Sequence, residues 1–156
     1  FEKLLVKPDL KNILSPRQSF KMLTTYSESL YQGNDQKRFR TNVAALINDL
    51  RRSGNKNTQQ ALERLEYLFI ESLNGEKNEN YDLISLKSKE FLGEHKESIY
   101  KDRVKYLRGV SLVNTSQEDE GKKVLEELVE GEKTPGYLKG LARTELSSLV
   151  LRNKTL

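Results

Sequence analysis

Cysteine and histidine, the side chains that most often bind zinc, are nearly absent from this chain of 156 residues. Cysteine does not occur, and His95 is the single histidine. Zinc sites that combine thiolate and imidazole ligands are therefore excluded, as is a cysteine nucleophile. Because His95 lies next to Lys96 in a predicted loop between Gly93 and Glu97, we interpret it as a solvated side chain.

Acidic residues are abundant, but their spacing does not indicate catalysis. Glu126 and Glu127 are adjacent on an exposed helix face, whereas a general acid requires apolar surroundings. The segment 117–121 does not have the alternating oxygen ligands of a calcium loop. No glycine-rich phosphate loop or dinucleotide fingerprint occurs. We therefore predict that the protein is not an enzyme and has no cofactor or metal.

The composition favours an ordered helical protein. Nine glycines and three prolines are too few to provide the turns of an all-β fold. Apolar residues make up 35% of the chain and charged residues 32%, and the apolar ones recur at helical spacing rather than at random. No run approaches the roughly 18 apolar residues of a membrane span, so we expect membrane association only through segments outside this chain. Since the first residue is Phe1, we expect a mature form or a part of a larger chain or complex.

Seven helical segments are predicted from the apolar periodicity and from start and stop signals. Ser15 and Pro16 favour a helix start, while Gly33 is expected to end the first helix in a left-handed cap conformation and Gly93 to end the fourth. The third segment is the most apolar and should be the most buried. Ala44 and Ala45 would allow a close approach between helices.

The segments pair into successive hairpins. Their starts near 16, 57, 100 and 136 are 41, 43 and 36 residues apart, a range typical of helical-hairpin repeats. We predict an all-α fold in which antiparallel hairpins stack as a short right-handed α-solenoid of about seven helices. A compact helical bundle would show the same periodicity and remains an alternative. The predicted parts are a lead-in segment, 1–14, and a repeat domain, 15–156, with hairpins at about 16–52, 58–92 and 100–131 and a final helix at 136–152.

Residues 98–135 show more than periodicity. Phe91 and Leu92 end one helix, and two motifs follow: Ser-Ile-Tyr-Lys-Asp at 98–102 and Tyr-Leu-Arg-Gly-Val-Ser-Leu at 106–112. This stretch resembles the tetratricopeptide repeat, in particular the divergent type of bacterial envelope proteins. The resemblance implies a protein-binding helical repeat and, for that subfamily, an envelope or periplasmic location.

The resemblance assigns structural positions to several residues. It puts Gly109 at the first small position and Gly121 at the second, where small side chains let two helix backbones cross closely. Leu112 occupies the usual aromatic position. The sequence departs from the family at several points: Arg108 replaces a preferred Leu, Val104 a common Ala, Gly121 the usual Ala and His95-Lys96 a frequent Tyr-Pro, and Pro135 falls two residues late.

Two surfaces are candidates for binding. The first is the concave side of the array, where aromatic residues and arginine often dominate binding energies; its candidate residues are Tyr26, Tyr67, Tyr106 and Arg108. Each of these could instead be a packing residue. On this basis we predict a scaffold that binds a partner protein through a peptide or a helix.

The second surface is basic. Residues 1–56 contain 11 Lys or Arg against 5 acidic residues, and the isoelectric point of the chain is about 9.2. The basic patch consists of Lys37, Arg38, Arg40, Arg51 and Arg52. Nucleic acid or an anionic surface would be its ligand, although no recognised module occurs and aromatic residues do not interleave with the cations. A solvated helix face is the simpler interpretation.

Overall fold

The computed structural model describes residues 16–33, 35–54, 58–74 and 80–154. Within these ranges the chain forms seven helices and no strand, which confirms the predicted all-α class. None of these helices combines the length and the apolar character that crossing a membrane requires. The lead-in segment 1–14 lies outside the described residues. The helices are α1 (Pro16–Gln32), α2 (Gln36–Ser53), α3 (Gln59–Asn74), α4 (Tyr81–Glu94), α5 (Lys101–Val113), α6 (Glu118–Glu130) and α7 (Gly136–Lys154).

The helix ends follow local chemistry, with two corrections to the sequence prediction. Asp35 caps α2, since its Oδ1 accepts a hydrogen bond from the Arg38 amide at 3.1 Å. The left-handed cap is at Gly54, with φ 59°, and not at Gly33. The Gly33 amide donates to the Ser29 carbonyl at 2.9 Å and so continues the hydrogen bonding of α1. Gly93 does not end α4, which runs on to Glu94.

The chain divides into two compact units, the first reaching Phe69 and the second beginning at Ile70. In the first unit the core lies between α2 and α3, where large apolar side chains meet. Phe39 is fully buried, and the ring of Tyr31 contacts it edge-on at 5.4 Å between centroids. Ala44 is half-buried and Ala45 exposed, so the prediction of a close helix approach at Ala45 is wrong. The buried core residues of this cluster are Phe39, Val43, Leu65 and Leu68.

In the second unit α5 is the central helix. It packs against α4, α6 and α7, and α6 also packs against α7. The apolar stripe of α6 is the face that it buries, with Leu125 and Leu128 essentially inaccessible. Helices α5, α6 and α7 share one core cluster, formed by Val113, Leu125, Leu128, Ala142 and Leu149.

The contact between α5 and α6 is very close. A methyl group added to Gly121 would lie 2.6 Å from the backbone nitrogen of Val113 and 2.8 Å from the carbonyl oxygen of Gly109. One added to Gly109 would lie 2.7 Å from Cδ2 of Leu125. The prediction that both glycines serve a helix crossing is therefore confirmed. It also explains why alanine, although the better helix former, does not occur at position 121.

Candidate partner-binding surface

Tyr106 is the predicted binding residue with the most structured surroundings. It lies on α5, half-buried, and packs against the core that α5 shares with α6 and α7. Burial raises the pKa of its phenol above the ordinary 10.0, the Glu145 carboxylate raises it further, and the Arg103 guanidinium acts in the opposite direction. The hydroxyl therefore stays protonated at neutral pH and can donate a hydrogen bond.

Arg103 links Tyr106 to α3. Its guanidinium carbon lies 5.4 Å from the centroid of the Tyr106 ring, within the range of a cation–π contact. The same guanidinium forms a two-point pair with Glu71, with Nε 2.6 Å from Oε1 and Nη2 3.1 Å from Oε2. Only 25% of the Arg103 side chain and 11% of the Glu71 side chain are exposed. A pair so shielded from water holds its geometry better than a surface ion pair.

Together these residues form a ladder of polar and aromatic side chains across three alternating helices. Glu71 comes from α3, Arg103 and Tyr106 from α5, and Glu145 from α7. We call this set the alternate-helix ladder. Within it, Glu71 and Arg103 already pair with each other, so the half-buried phenol of Tyr106 is the group best placed to donate to a polar group of a peptide.

Arg108 lies on a different side of α5 from Tyr106. Two residues along a helix are about 200° apart, and the contacts agree with this separation. The Nη2 atom of Arg108 is 2.6 Å from Oε1 of Glu120 on α6, and 15% of the Arg108 side chain is exposed. This arginine thus ties α5 to α6 at the glycine crossing, and it does not join the alternate-helix ladder.

The other two predicted tyrosines lie in the first unit. Tyr67 on α3 is half-buried and packs against the cluster around Phe39 and Leu65. Tyr26 on α1 is also half-buried, and its carbonyl accepts a hydrogen bond from the Ser29 hydroxyl at 3.1 Å. Tyr67 therefore serves the packing of its own unit.

The predicted basic patch does not form one cluster. Arg51 is engaged by Glu66 on α3, with Nε 2.9 Å and Nη2 2.6 Å from Oε1. Lys37 and Arg52 are exposed but 15 residues apart, which corresponds to about 22 Å along α2. Arg38 is exposed and Arg40 half-buried. The positive charge is distributed along a helix rather than concentrated in a pocket.

The interpretation of His95 as a solvated side chain is wrong. His95 is 6% exposed, and its ring centroid lies 4.7 Å from that of Phe91 at an angle of 49°. Its amide donates to the Phe91 carbonyl at 2.8 Å, since the helix extends beyond the predicted end. His95 directly follows the last residue of α4, four positions after the buried Phe91, and its side chain lies on the side of the helix that Phe91 buries.

Glu71, Arg103 and Glu145 are not among the binding residues predicted from the sequence. The contact of Arg103 with Tyr106 could have been predicted from the sequence, because a cation three residues before a tyrosine on a helix can reach its ring. The positions of Glu71 and Glu145 could not, since they lie 32 and 42 positions from Arg103 and meet α5 only through the fold.

No protein-family model, curated protein or solved structure matches this chain. The resemblance to the tetratricopeptide repeat therefore remains a prediction that depends on the residues of 98–135.

Proposed function

We propose that this protein is a non-catalytic scaffold that binds a peptide or helix of a partner protein. The observation that supports this most is the alternate-helix ladder, in which α3, α5 and α7 contribute side chains to one row. In repeat proteins made of helical hairpins, the first helices of successive hairpins line the binding face. Side chains that come from α3, α5 and α7, and not from α4 or α6, fit that arrangement.

The proposal includes the architecture predicted from the sequence, in which antiparallel hairpins stack as a short α-solenoid. The α5–α6 contacts support it: Gly109 meets Leu125 and Val113 meets Gly121, so residue numbers rise along one helix as they fall along the other. The packing of α5 against α7, two helices further along the chain, also fits stacked hairpins.

The alternative function, binding of nucleic acid or an anionic surface by α2, has less support. The ion pair between Arg51 and Glu66 removes one cation, and the exposed cations Lys37 and Arg52 are far apart. Affinity from phosphate contacts requires several cations acting together.

A photo-crosslinking experiment tests the scaffold proposal. A benzophenone amino acid replaces Tyr106 in the full-length protein, and the matched control carries it at Lys123, which is exposed on α6. Circular dichroism establishes that both variants fold. After irradiation in extracts of the native source, we expect covalent protein adducts at position 106 and not at position 123.

The affinity for the captured protein is then measured at several salt concentrations, for the wild type and for two sets of variants. The proposal expects Tyr106→Phe together with Arg103→Gln to weaken binding about tenfold, with little dependence on salt. Adducts at neither position would contradict it. Binding that falls steeply with salt and is lost with Arg38→Glu and Arg40→Glu would favour the alternative instead.

A further inference from the structure

Helix α7 has an apolar stripe that faces solvent. Its inner side buries Leu138, Ala142 and Leu149, but Tyr137 remains 64% exposed and Leu151 66% exposed. At about 100° per residue, Tyr137 and Leu151 lie within roughly 40° of each other, opposite the buried side. Leu141, which is 38% exposed, borders the same stripe. We call this surface the outer face of α7.

Small residues lie between the exposed apolar ones. Gly140, Thr144 and Ser148 follow one another at every fourth position; Gly140 and Thr144 are exposed and Ser148 is half-buried. A methyl group added to Gly140 would meet no atom within 4 Å. The outer face is therefore a shallow channel along the helix, with Tyr137 and Leu151 at its ends.

The hydroxyl groups in this channel are already satisfied. Thr144 Oγ1 donates to the Gly140 carbonyl at 3.0 Å, and Ser148 Oγ donates to the Thr144 carbonyl at 3.0 Å. Ser147 Oγ bonds in the same way to the Arg143 carbonyl at 2.8 Å. Because these hydroxyl groups already donate to backbone carbonyls, covering them with an apolar partner breaks none of these hydrogen bonds. The free-energy cost of covering the channel is therefore small.

The charge around the channel has one sign. Arg143 and Lys154 lie along one edge and Arg152 along the other, and all three are exposed. The single acid of α7, Glu145, is half-buried on the inner side, where it raises the pKa of Tyr106. The outer face thus has small residues along its middle, apolar side chains at its ends and cations along both edges.

This charge distinguishes between possible occupants. A second copy of α7, in either orientation, offers no acid to Arg143, Arg152 and Lys154, because its one acid, Glu145, lies on the inner side. A membrane surface would be contacted by bulky apolar side chains, but here the middle of the stripe is glycine, threonine and serine. An amphipathic helix with acidic edges complements both the shape and the charge.

The chain itself contains a helix of that kind. On α6 the apolar stripe is flanked by acids, and this stripe packs against the inner side of α7. The acids of α6 are Glu118, Asp119, Glu120, Glu126, Glu127 and Glu130. We infer that the outer face of α7 is a second docking site, which takes an acidic amphipathic helix of a partner protein; this inference rests on the proposed scaffold function.

The test uses a synthetic helical peptide with leucine at i, i+3, i+4 and i+7 and glutamate elsewhere. Its control is the same peptide with lysine in place of glutamate. Fluorescence anisotropy measures binding to the full-length protein. We expect the acidic peptide to bind at least about tenfold more tightly than the lysine peptide, and more weakly as salt rises.

Three sets of variants locate the site. The pair Tyr137→Ser and Leu151→Ser should weaken binding about tenfold, while the control Leu86→Ser, at a 51% exposed leucine on α4, should not. Charge reversal at Arg143 and Lys154 should also weaken binding of the peptide. Charge reversal at the exposed Lys122 and Lys123 of α6 should leave it unchanged. Gly140→Leu should fill the channel and abolish binding in a protein that folds at least as well, because glycine is the poorer helix former.

The inference is overturned if the two peptides bind equally, or if the α7 variants leave binding unchanged. It is also overturned if the protein forms a dimer that Tyr137→Ser and Leu151→Ser dissolve, or if it binds vesicles of phosphatidylglycerol in preference to the peptide. Crosslinking at Tyr106 is independent of these results, so adducts there without peptide binding would reject only the α7 site.

Discussion

Two helix pairs of this protein make their contact by opposite means. In the first unit, α2 and α3 meet through bulk: Phe39 and Leu65 are both fully buried at their contact. In the second unit, α5 and α6 meet at residues that have no side chain, since Gly109 and Gly121 leave no room for an added methyl group. Removal of atoms should therefore lower the free energy of unfolding most at the first contact, and addition of atoms should lower it most at the second.

The largest expected effect is at the bulky contact. Phe39→Ala should lower the free energy of unfolding by about 3–5 kcal/mol, because it removes a buried ring and leaves a cavity. Urea denaturation followed by circular dichroism measures the loss, and hydrogen exchange assigns it to the amides of α2 and α3. Phe39→Leu, which keeps most of the volume, should cost much less. A loss below about 1 kcal/mol for the alanine variant would contradict the importance of bulk here.

Addition of one methyl group tests the glycine crossing. Gly121→Ala should destabilise the protein by about 1–3 kcal/mol, although alanine gains about 1 kcal/mol in helix propensity over glycine. Gly109→Ala should cost less, because its obstacle is the movable Leu125 side chain rather than backbone.

Gly140→Ala on α7 is the matched control for this pair. With nothing near the added methyl group, it should stabilise the protein by about 0.5–1 kcal/mol. The same urea denaturation applies to all three variants. If Gly121→Ala stabilised the protein as Gly140→Ala does, the close contact would be disproved.

The N-terminal ends of α2 and α6 also differ in how they are stabilised. Asp35 caps α2 with its side chain, so Asp35→Ala should cost about 1 kcal/mol. Gln117 makes no such bond, and α6 instead has Glu118, Asp119 and Glu120 in its first turn, where they interact favourably with the helix dipole. Gln117→Ala should therefore change stability by less than about 0.5 kcal/mol. Thermal unfolding of both variants measures the difference, and equal losses would refute it.

The smallest effect concerns pH. Because the pKa of Tyr106 is raised in the folded protein, the neutral phenol contributes stability that is complete below the ordinary pKa of 10.0. This contribution is lost as the pH rises through the higher folded value. Above about pH 10 the wild type should lose stability relative to Tyr106→Phe, which has no proton to release. Urea midpoints of the two proteins across this range measure the difference; parallel curves would argue against burial of the phenol.

Local patterns were sufficient to predict the helices. Apolar spacing, the glycines and the prolines indicated seven helical segments, and the hairpin predicted at about 100–131 corresponds to α5 and α6, Lys101–Val113 and Glu118–Glu130. Where a glycine was the sole stop signal the prediction failed, as at Gly93, because packing on the following residues extends α4 to Glu94. The burial of His95 follows from that extension.

The sequence by itself determined that the protein is all-α, that it has no cysteine and that it has a single histidine. These conclusions depend on residue type and on spacing within a few turns, which short-range sterics and hydrogen bonding control. Only the tertiary structure decided which side chains meet: Arg103 with Glu71, and Arg108 with Glu120. It also placed the Glu145 carboxylate near enough to Tyr106 to raise the pKa of its phenol. Such contacts depend on how helices distant in sequence pack, and the periodicity of a single helix holds no information about which neighbour covers each face.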